Sequence, residues 1–298
     1  MNGSDQHTLE HPMVQPKKFV PPQKGDKIIC EGIQYYIGAK INQGGFGVAY
    51  QCTDDWSNNL VAKVLLPHNK EYDQVRDEWL AELDNLRRLR HPNITYIHQA
   101  FEYRDTFYII VEQCSYDLNS IIGQPGTDGN IWLPYIARDV LHGLDFIHRN
   151  GYVHKDMHPG NIFVSHHYDF MVPTKEPVWS FKIGDLGISR LEADISLFNT
   201  ILAQWMVPPE YLNPGEFGRI GKQVDIYHTG MLLLGLLLNR IPEFTHEEIL
   251  QGIPRQIGEK LQSPYAQAIA KALRRHVQQR TQTALEMWRE VFAAMPRT

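Results

Sequence analysis

The sequence is poor in the features that mark secreted, membrane-spanning and nucleic-acid-binding proteins. Its three cysteines, Cys30, Cys52 and Cys114, are too few and too scattered for a disulfide framework or a four-ligand zinc site. The formal net charge of -5 lacks the basic excess of a nucleic-acid surface. The most apolar run, residues 231–238, is far shorter than the roughly 20 residues that cross a membrane. We therefore expect a cytoplasmic protein that binds neither nucleic acid nor membrane, with a buried helix at 231–238.

What is present is an ordinary globular composition. The 298 residues are 43% hydrophobic and 21% charged, and the chain is long enough to bury a sizeable core. Residues 1–26 are polar, contain prolines and lack an apolar signal core, so they are predicted to form a disordered leader. No repeat or low-complexity segment is visible, and nothing in the sequence indicates an oligomeric state.

The two parts of the chain after the leader have different periodicities. Apolar residues recur at spacings of three and four from Val75 to Leu89, which indicates one amphipathic helix. Short β-branched or aromatic runs around it predict strands at 35–41, 47–53, 60–65, 96–101 and 107–111. The later part is mainly helical, with a hairpin at 162–164 and 181–183 whose loop, 165–180, is expected to be solvent-exposed. We predict an α+β fold with a β-rich lobe at 27–112, a helical lobe at 113–298 and a hinge near 112–114.

Glycines stand between two predicted strands at residues 41–50. Gly44, Gly45 and Gly47 lack a Cβ, so the chain could approach phosphate groups closely and offer them backbone N–H groups. An ordinary hairpin turn explains the glycines alone equally well. A dinucleotide-binding fold is excluded, because a strand and not a helix follows the glycines.

Lys63 lies in an apolar strand, where an unpaired ammonium would be costly, so it needs an anion. Glu82 interrupts the apolar stripe of the predicted helix and therefore faces the sheet. The two side chains could pair and direct the ammonium at phosphate oxygens. Taken singly, each residue is better explained as a solvated surface charge.

Three oxygen-bearing side chains, Asp156, Asn161 and Asp185, lie at predicted strand and loop boundaries. A single loop aspartate is usually solvated, but the joint spacing suits one base and two magnesium ligands. His154 and His158 have the separation of a zinc-binding helix, yet Pro-Gly follows them and no glutamate lies between them. We therefore expect His154 to be a packed structural residue.

From about residue 35 to the C-terminus, the sequence resembles the eukaryotic-type protein kinase superfamily, in a divergent serine/threonine-kinase-like form. The glycine loop, the lysine strand 61–63, the helix glutamate, the loop 154–161 and the motif 185–187 follow in the family's order. Further on, 208–210 resembles the end of the activation segment and 225–230 the start of the central helix. Arg280 lies where the family places the arginine that pairs with Glu210, and we expect a partly buried ion pair there.

The resemblance implies an ATP- and magnesium-dependent enzyme that transfers the γ-phosphate to a protein hydroxyl, most simply on serine or threonine. Lys63, oriented by Glu82, would hold phosphates; Asp156 would accept or orient the hydroxyl proton; Asn161 and Asp185 would bind magnesium. Val111 would lie behind the adenine, the backbone of 112–114 would bond its edge, and Ala49, Ala62 and Phe163 would sandwich the ring. The implied nucleotide contacts are Asn42, Gly44, Gly45, Phe46, Gly47, Ala49, Ala62, Lys63, Val111, Glu112, Cys114 and Phe163.

Four residues depart from the family pattern. Asn42 replaces the first loop glycine, Lys155 the usual arginine and His158 the usual catalytic-loop lysine. Ala203 lies where serine/threonine kinases normally carry a threonine. His158 is assigned to the catalytic set as a support for the γ-phosphate, and packing or hydrogen bonding within the loop is the alternative. The departures leave the level of activity and the choice between Ser/Thr and Tyr open.

Two other functions remain possible. Residues 154–161 also resemble the catalytic loop of aminoglycoside and choline kinases, which phosphorylate small molecules, although Glu210, Asp225 and Arg280 favour a protein kinase. A catalytically weak pseudokinase scaffold is the second alternative. The presence of all the charged site residues argues against it. The physiological protein substrate is not indicated.

Overall fold

The N-terminal lobe is built on one antiparallel sheet. The computed structural model describes residues 18–43, 47–67, 70–171, 177–186, 190–191 and 206–296. The sheet has six strands in the order β1-β2-β3-β4-β6-β5, and one helix packs on it. These elements are β1 (Lys27–Cys30), β2 (Ile33–Gln43), β3 (Gly47–Asp54), β4 (Asn59–Leu65), α1 (Tyr72–Arg88), β5 (Ile97–Tyr103) and β6 (Thr106–Glu112).

Alternation along the strands divides the sheet into two faces. On β6, Tyr108 and Ile110 belong to a core cluster on the outer face, whereas Phe107 and Ile109 belong to the main core under α1. Trp79 of α1 fixes the helix on that inner face, since its indole N–H donates to the Tyr108 carbonyl at 3.1 Å. The inner face therefore carries the side chains that reach the second lobe.

The segment before β1 is attached to this sheet. The Val20 amide donates to the Thr106 hydroxyl at 3.0 Å, and that hydroxyl donates to the Val20 carbonyl at 3.1 Å. Phe19 packs against the outer core cluster, and the Lys18 amide donates to Asp105. The disordered leader expected over residues 1–26 is therefore too long at its C-terminal end; residues 1–17 lie outside the described part.

The second lobe is mainly helical, which confirms the predicted α+β class. It begins with β7 (Tyr116–Asp117) and a short 3₁₀ helix (Leu118–Ser120), followed by α2 (Gly129–Arg149), β8 (Tyr152–Val153), a 3₁₀ helix (Pro159–Asn161), β9 (Ile162–Tyr168), β10 (Pro177–Ile183) and β11 (Arg190–Leu191). It continues with α3 (Pro209–Leu212), α4 (Pro214–Phe217), α5 (Gln223–Leu238), α6 (His246–Gln251), α7 (Ile253–Lys260), α8 (Ala266–Ala272), a 3₁₀ helix (Val277–Gln279) and α9 (Ala284–Ala293).

Helix α5 is the buried centre of this lobe, as its apolar sequence predicts. Residues from Val224 to Leu236 are buried on every side of the helix, which packs against α2 and α8. Helix α2 begins after Asp128, whose side chain accepts the Asn130 amide and so caps the first turn. Among the described residues, no helix is both long enough and apolar enough to cross a bilayer.

The hairpin β9–β10 is longer than the sequence suggests. Its ladder runs from Ile162 opposite Ile183 to Tyr168 opposite Pro177, so much of the expected exposed excursion over 165–180 is strand. His166 remains exposed, as expected, although its ring lies 5.1 Å from that of Trp179 and its Nδ1 lies 3.1 Å from the Ser115 hydroxyl. Alternating aromatic residues were the signal for these strands. Residues 172–176 lie outside the described part.

Candidate active site

A cavity of about 660 Å³ lies between the two lobes, and most of the predicted site residues meet there. The sheet, the hinge and the loops of the helical lobe each contribute a wall. The predicted residues that line it are Asn42, Gly47, Ala49, Lys63, Glu82, Val111, Glu112, Cys114, Asp156, His158, Asn161, Phe163 and Asp185. Gly44, Gly45 and Phe46 lie outside the described residues.

Ala62 is the predicted residue that does not line the cavity. Its side chain is fully buried in the outer core cluster, with Tyr35 and Ile110, on the opposite face of the sheet. Because side chains alternate along β4, Val61 and not Ala62 shares the cavity face with Lys63. The assignment of Ala62 to the nucleotide pocket is therefore wrong, and strand parity in the sequence already favoured Val61.

Several lining residues escaped the sequence analysis. Four of them lie where the chain passes from one lobe to the other, and no periodic pattern marks them there: Ser115, Tyr116, Asp117 and Asn119. The others are Val48, Gln51, Val61, Thr95, Ile109, Gly160 and Leu186. Asp117 had one local signal, since its carboxylate caps the next turn by accepting the Asn119 amide at 3.0 Å.

A cluster of three charges forms the upper part of the cavity. The Lys63 Nζ lies 2.6 Å from Glu82 Oε1 and 2.8 Å from Asp185 Oδ1, which confirms the predicted pairing with Glu82. Burial alone would lower the pKa of Lys63, but the charges of Asp185 and Glu82 raise it above its ordinary value. Burial, opposed by Lys63, raises the pKa of Glu82. Lys63 therefore remains an ammonium in the wall of the cavity.

The loop below the cavity, which contains His154 and Lys155, is hydrogen-bonded to α5. The buried Asp225 accepts the backbone amides of His154 at 2.9 Å and Lys155 at 2.7 Å, and it contacts His148 Nε2 at 2.8 Å. Burial would raise the pKa of Asp225, but the hydrogen bond and charge of His148 lower it below its ordinary value. Lys155 has a left-handed backbone with φ of 71°, an uncommon conformation for a side-chain-bearing residue, which these bonds hold in place.

His154 has the structural role expected from its sequence context. Its ring is fully buried, and Nε2 donates to the Gly184 carbonyl at 2.9 Å. The Gly184 amide in turn donates to the Asn161 carbonyl at 2.9 Å. These bonds tie the loop of Asp156 and Asn161 to the strand end that carries Asp185.

Asp156 is held by its own loop. The Asn161 amide nitrogen donates to the Asp156 carbonyl at 2.9 Å and to its Oδ2 at 3.0 Å. His158 Nε2 lies 3.5 Å from the same Oδ2. Burial would raise the pKa of Asp156, but the hydrogen bond and charge of His158, and to a lesser extent the charge of His154, lower it below its ordinary value. The carboxylate is therefore ionised and available as a base near neutral pH.

The site suits magnesium by the chemistry of its donors. The Asn161 nitrogen is used as a donor, so its amide oxygen is the atom left for a cation. Asp185, with φ of 52°, offers a carboxylate from the residue after Gly184, whose amide is bonded to the Asn161 carbonyl. Amide and carboxylate oxygens are the ligands that magnesium prefers. The described residues contain no group of three or more His, Cys, Asp or Glu that could hold a metal alone. Asn161 and Asp185 are the two predicted residues whose oxygens could hold magnesium here.

A second ion pair lies outside the cavity. Arg280 donates from Nη1 to Glu210 Oε1 at 2.7 Å and from Nη2 to Oε2 at 2.8 Å, and both side chains are fully buried. The predicted ion pair is therefore confirmed, and it is completely buried. It joins the start of α3 to the segment between α8 and α9.

Comparison with known proteins gives the family directly. Residues 35–297 match the family described as protein kinase domain. The chain therefore belongs to the protein kinase family.

Curated relatives are distant in sequence. The chain is 27% identical over 277 residues to cyclin-dependent kinase 12 of Drosophila melanogaster, covering 87% of this chain and 23% of the relative. It is 26% identical over 222 residues to serine/threonine-protein kinase PLK2 of Mus musculus, covering 71% and 30%. For cyclin-dependent kinase D-1 of Arabidopsis thaliana, the identity is 27% over 208 residues, covering 67% and 48%. The matches thus span between about a quarter and a half of the length of these relatives.

Proposed function

We propose that this protein is an ATP- and magnesium-dependent protein kinase that transfers the γ-phosphate to a serine or threonine hydroxyl of another protein. The observation that carries the proposal is the convergence, in one cavity between the lobes, of the Lys63–Glu82–Asp185 cluster with Asp156 and Asn161. Phosphoryl transfer depends on positioning and charge stabilisation, and this set supplies both.

Each charged residue has a distinct task in this proposal. Lys63 binds the α- and β-phosphates, and Glu82 holds its ammonium in place. Asn161 and Asp185 would hold magnesium, which neutralises phosphate charge when bound. Asp156 accepts or orients the proton of the acceptor hydroxyl, a contribution of about 10² to 10⁴ in rate when a positioned base provides it.

The hinge is suited to the edge of a nucleobase. The amides of Glu112, Gln113 and Ser115 donate to the carbonyls of Tyr96, Asn59 and Val164. Within the described part of the chain, the Cys114 amide has no such partner, which supports its use as a donor to adenine. The base would lie between the roof formed by Ala49 and Val61 and the floor formed by Phe163, with Val111 behind it.

The glycine loop has a structural reason for its last glycine. A Cβ on Gly47 would lie 2.5 Å from the Val64 carbonyl oxygen, so β3 approaches β4 too closely for any side chain there. Asn42 and Ala49 face each other across the β2–β3 pair at the base of the loop. This geometry supports the proposal that 42–47 covers the phosphates.

The test is incubation of the purified protein with γ-labelled ATP, magnesium and a generic protein substrate, followed by phosphoamino-acid analysis. We expect label on serine or threonine, and none with Lys63→Met. Choline and an aminoglycoside should be assayed in parallel, because residues 154–161 resemble the loop of those kinases. Label on the small molecules alone would contradict the proposal, as would nucleotide binding without any transfer.

Cytoplasmic placement is part of the same proposal. Cys30, Cys52 and Cys114 are all unpaired thiols, which suits a reducing compartment. Localisation of the tagged full-length protein tests it, and recovery from an oxidising, extracellular compartment would contradict it.

A further inference from the structure

The orientation of His158 is set by its own turn. The Gly160 amide donates to His158 Nδ1 at 3.0 Å, so the ring caps the short 3₁₀ helix Pro159–Asn161. An acceptor nitrogen must keep its lone pair, so in this arrangement the ring carries its proton on Nε2. His158 therefore presents an N–H group from the opposite edge of the ring.

That edge faces the catalytic carboxylate. His158 Nε2 lies 3.5 Å from Asp156 Oδ2, and the Asn161 amide nitrogen lies 3.0 Å from the same oxygen. Two nitrogen groups therefore converge on Oδ2. In the described part of the chain, no donor is bonded to Oδ1, which leaves that oxygen for the acceptor hydroxyl.

Gly160 makes this ring position possible. A Cβ at residue 160 would lie 2.9 Å from His158 Cε1 and 3.1 Å from Nδ1, closer than packed atoms approach. It would also lie 3.1 Å from the side-chain amide nitrogen of Asn119. Because the turn is short and the ring is bonded within it, a methyl group there must displace the ring.

We propose that His158 and Gly160 act as one positioning unit, which holds Asp156 with Oδ1 directed at the acceptor hydroxyl. In this role His158 replaces the contact to the γ-phosphate that the family resemblance implies. The inference rests on the proposed kinase function for its effect on rate, but the geometry of the unit can be measured without catalysis.

His158→Asn separates the cap from the positioning role. An asparagine at a cap position can accept the Gly160 amide as the histidine does, but its side chain is too short to present an N–H group to Asp156. We expect kcat to fall about 10- to 100-fold, as for a misplaced catalytic group, with the Kd of ATP and the melting temperature unchanged. The exposed His167→Asn is the matched control and should resemble the wild type.

Two results with His158→Asn would overturn the proposal. A wild-type kcat would show that His158 serves only as a cap. A rise in the Kd of ATP by the same factor as the fall in kcat would show that the ring binds a phosphate instead.

Gly160→Ala tests the coupling within the unit. We expect it to lower kcat as His158→Asn does, since it displaces the ring, and to add less than about twofold in the His158→Asn background. Gly215→Ala is the control, because a Cβ there meets nothing closer than 3.6 Å. Independent, multiplying effects of the two substitutions would contradict a single unit.

A spectroscopic measurement decides the geometry even if the wild type transfers no phosphate. Long-range ¹H–¹⁵N spectra should show His158 with its proton on Nε2, and Asp156→Asn should shift the Nε2 signal. Asp169→Asn, in the β9–β10 turn, is the control. A proton on Nδ1, or an Nε2 signal indifferent to Asp156→Asn, would refute the inference, whereas an inactive wild type with the expected spectra would refute only the kinase function.

Discussion

The molecule contains two clusters of buried charge, one around Arg280 and one around Lys63. They are built from similar groups but differ in whether a ligand can reach them. Around Arg280, every N–H group of the guanidinium has an acceptor: both oxygens of Glu210 and the carbonyls of Gln223, Arg274 and Arg275. In the cleft, the Lys63 ammonium meets two carboxylates while remaining in the wall of a cavity, with 19% of its side chain exposed.

The difference shows what makes a buried ion pair either a structural contact or part of a binding site. The Arg280 cluster is fully satisfied and fully buried, so another ligand can only disrupt it. In the Lys63 cluster, the ammonium is shared between Glu82 and Asp185, of which Asp185 is 35% exposed. An incoming phosphate can compete for that ammonium without leaving a buried charge unpaired.

The largest expected effect is on the enclosed cluster. Arg280→Ala leaves Glu210 buried without a partner, so we expect the free energy of unfolding to fall by about 3 to 5 kcal/mol. Denaturant unfolding measures it, with the half-exposed Arg255→Ala as control, because that arginine pairs with Glu259 on one helix surface. Equal losses in the two variants would remove the contrast between the clusters.

The cleft cluster should show the reverse pattern. Lys63→Met and Asp185→Asn each remove charge from the site, so we expect phosphoryl transfer to fall by about 10²- to 10³-fold or more. The melting temperature should fall much less than in Arg280→Ala. Lys271→Met is the control, since Lys271 also bonds two carboxylates, those of Glu286 and Glu290, but lies far from the cavity. Full activity in either folded cleft variant would refute the assigned roles.

Glu82→Gln should have a smaller effect, and it compares the contributions of Glu82 and Asp185 to holding Lys63. Lys63 keeps its contact with Asp185 in this variant and loses only the partner that holds it from α1. We expect activity to fall by about tenfold, which corresponds to roughly 1.4 kcal/mol. A loss as large as that of Lys63→Met would mean that Glu82, and not Asp185, determines where the ammonium points.

The smallest expected effect is a pH dependence at Asp225, which is enclosed like Arg280. Its folded pKa lies below the ordinary value of 3.8, so its ionised form adds stability that is present above that value. This contribution is lost as the pH falls through the folded pKa. Asp225→Asn should therefore lose stability less steeply than the wild type below about pH 4, by at most about 1.4 kcal/mol per pH unit. Parallel curves from urea unfolding would argue against the shift.

The sequence predicted what depends on spacing within motifs. Lys63 with Glu82, and Glu210 with Arg280, are pairs of charges in apolar surroundings, and such residues require partners wherever the chain folds. Their pairing could be anticipated because the family order supplied the partner. The α+β division followed from a change of period near the hinge, which is a strong local signal.

What could not be predicted depends on where the chain passes in space. Asp117 and Asn119 line the cavity because the chain turns there between lobes, and no periodicity records that position. The error at Ala62 has a different cause: the motif was matched by composition, although strand parity puts neighbours on opposite faces. The relation between His158 and Gly160 depends on a ring folding back over a turn, which only coordinates reveal.

The contact between Val20 and Thr106 bears on where an expression fragment of this domain can begin. A fragment cut at residue 27 would keep every described residue of the cavity, yet the Thr106 hydroxyl would lose both bonds to Val20 and keep only its bond to the Arg104 carbonyl. It would also uncover the part of the outer core that Phe19 covers. Such a fragment would be less stable and more prone to self-association than one that begins at residue 18. The folded unit therefore starts upstream of its first strand, at a boundary set by a hydroxyl on the far side of the sheet.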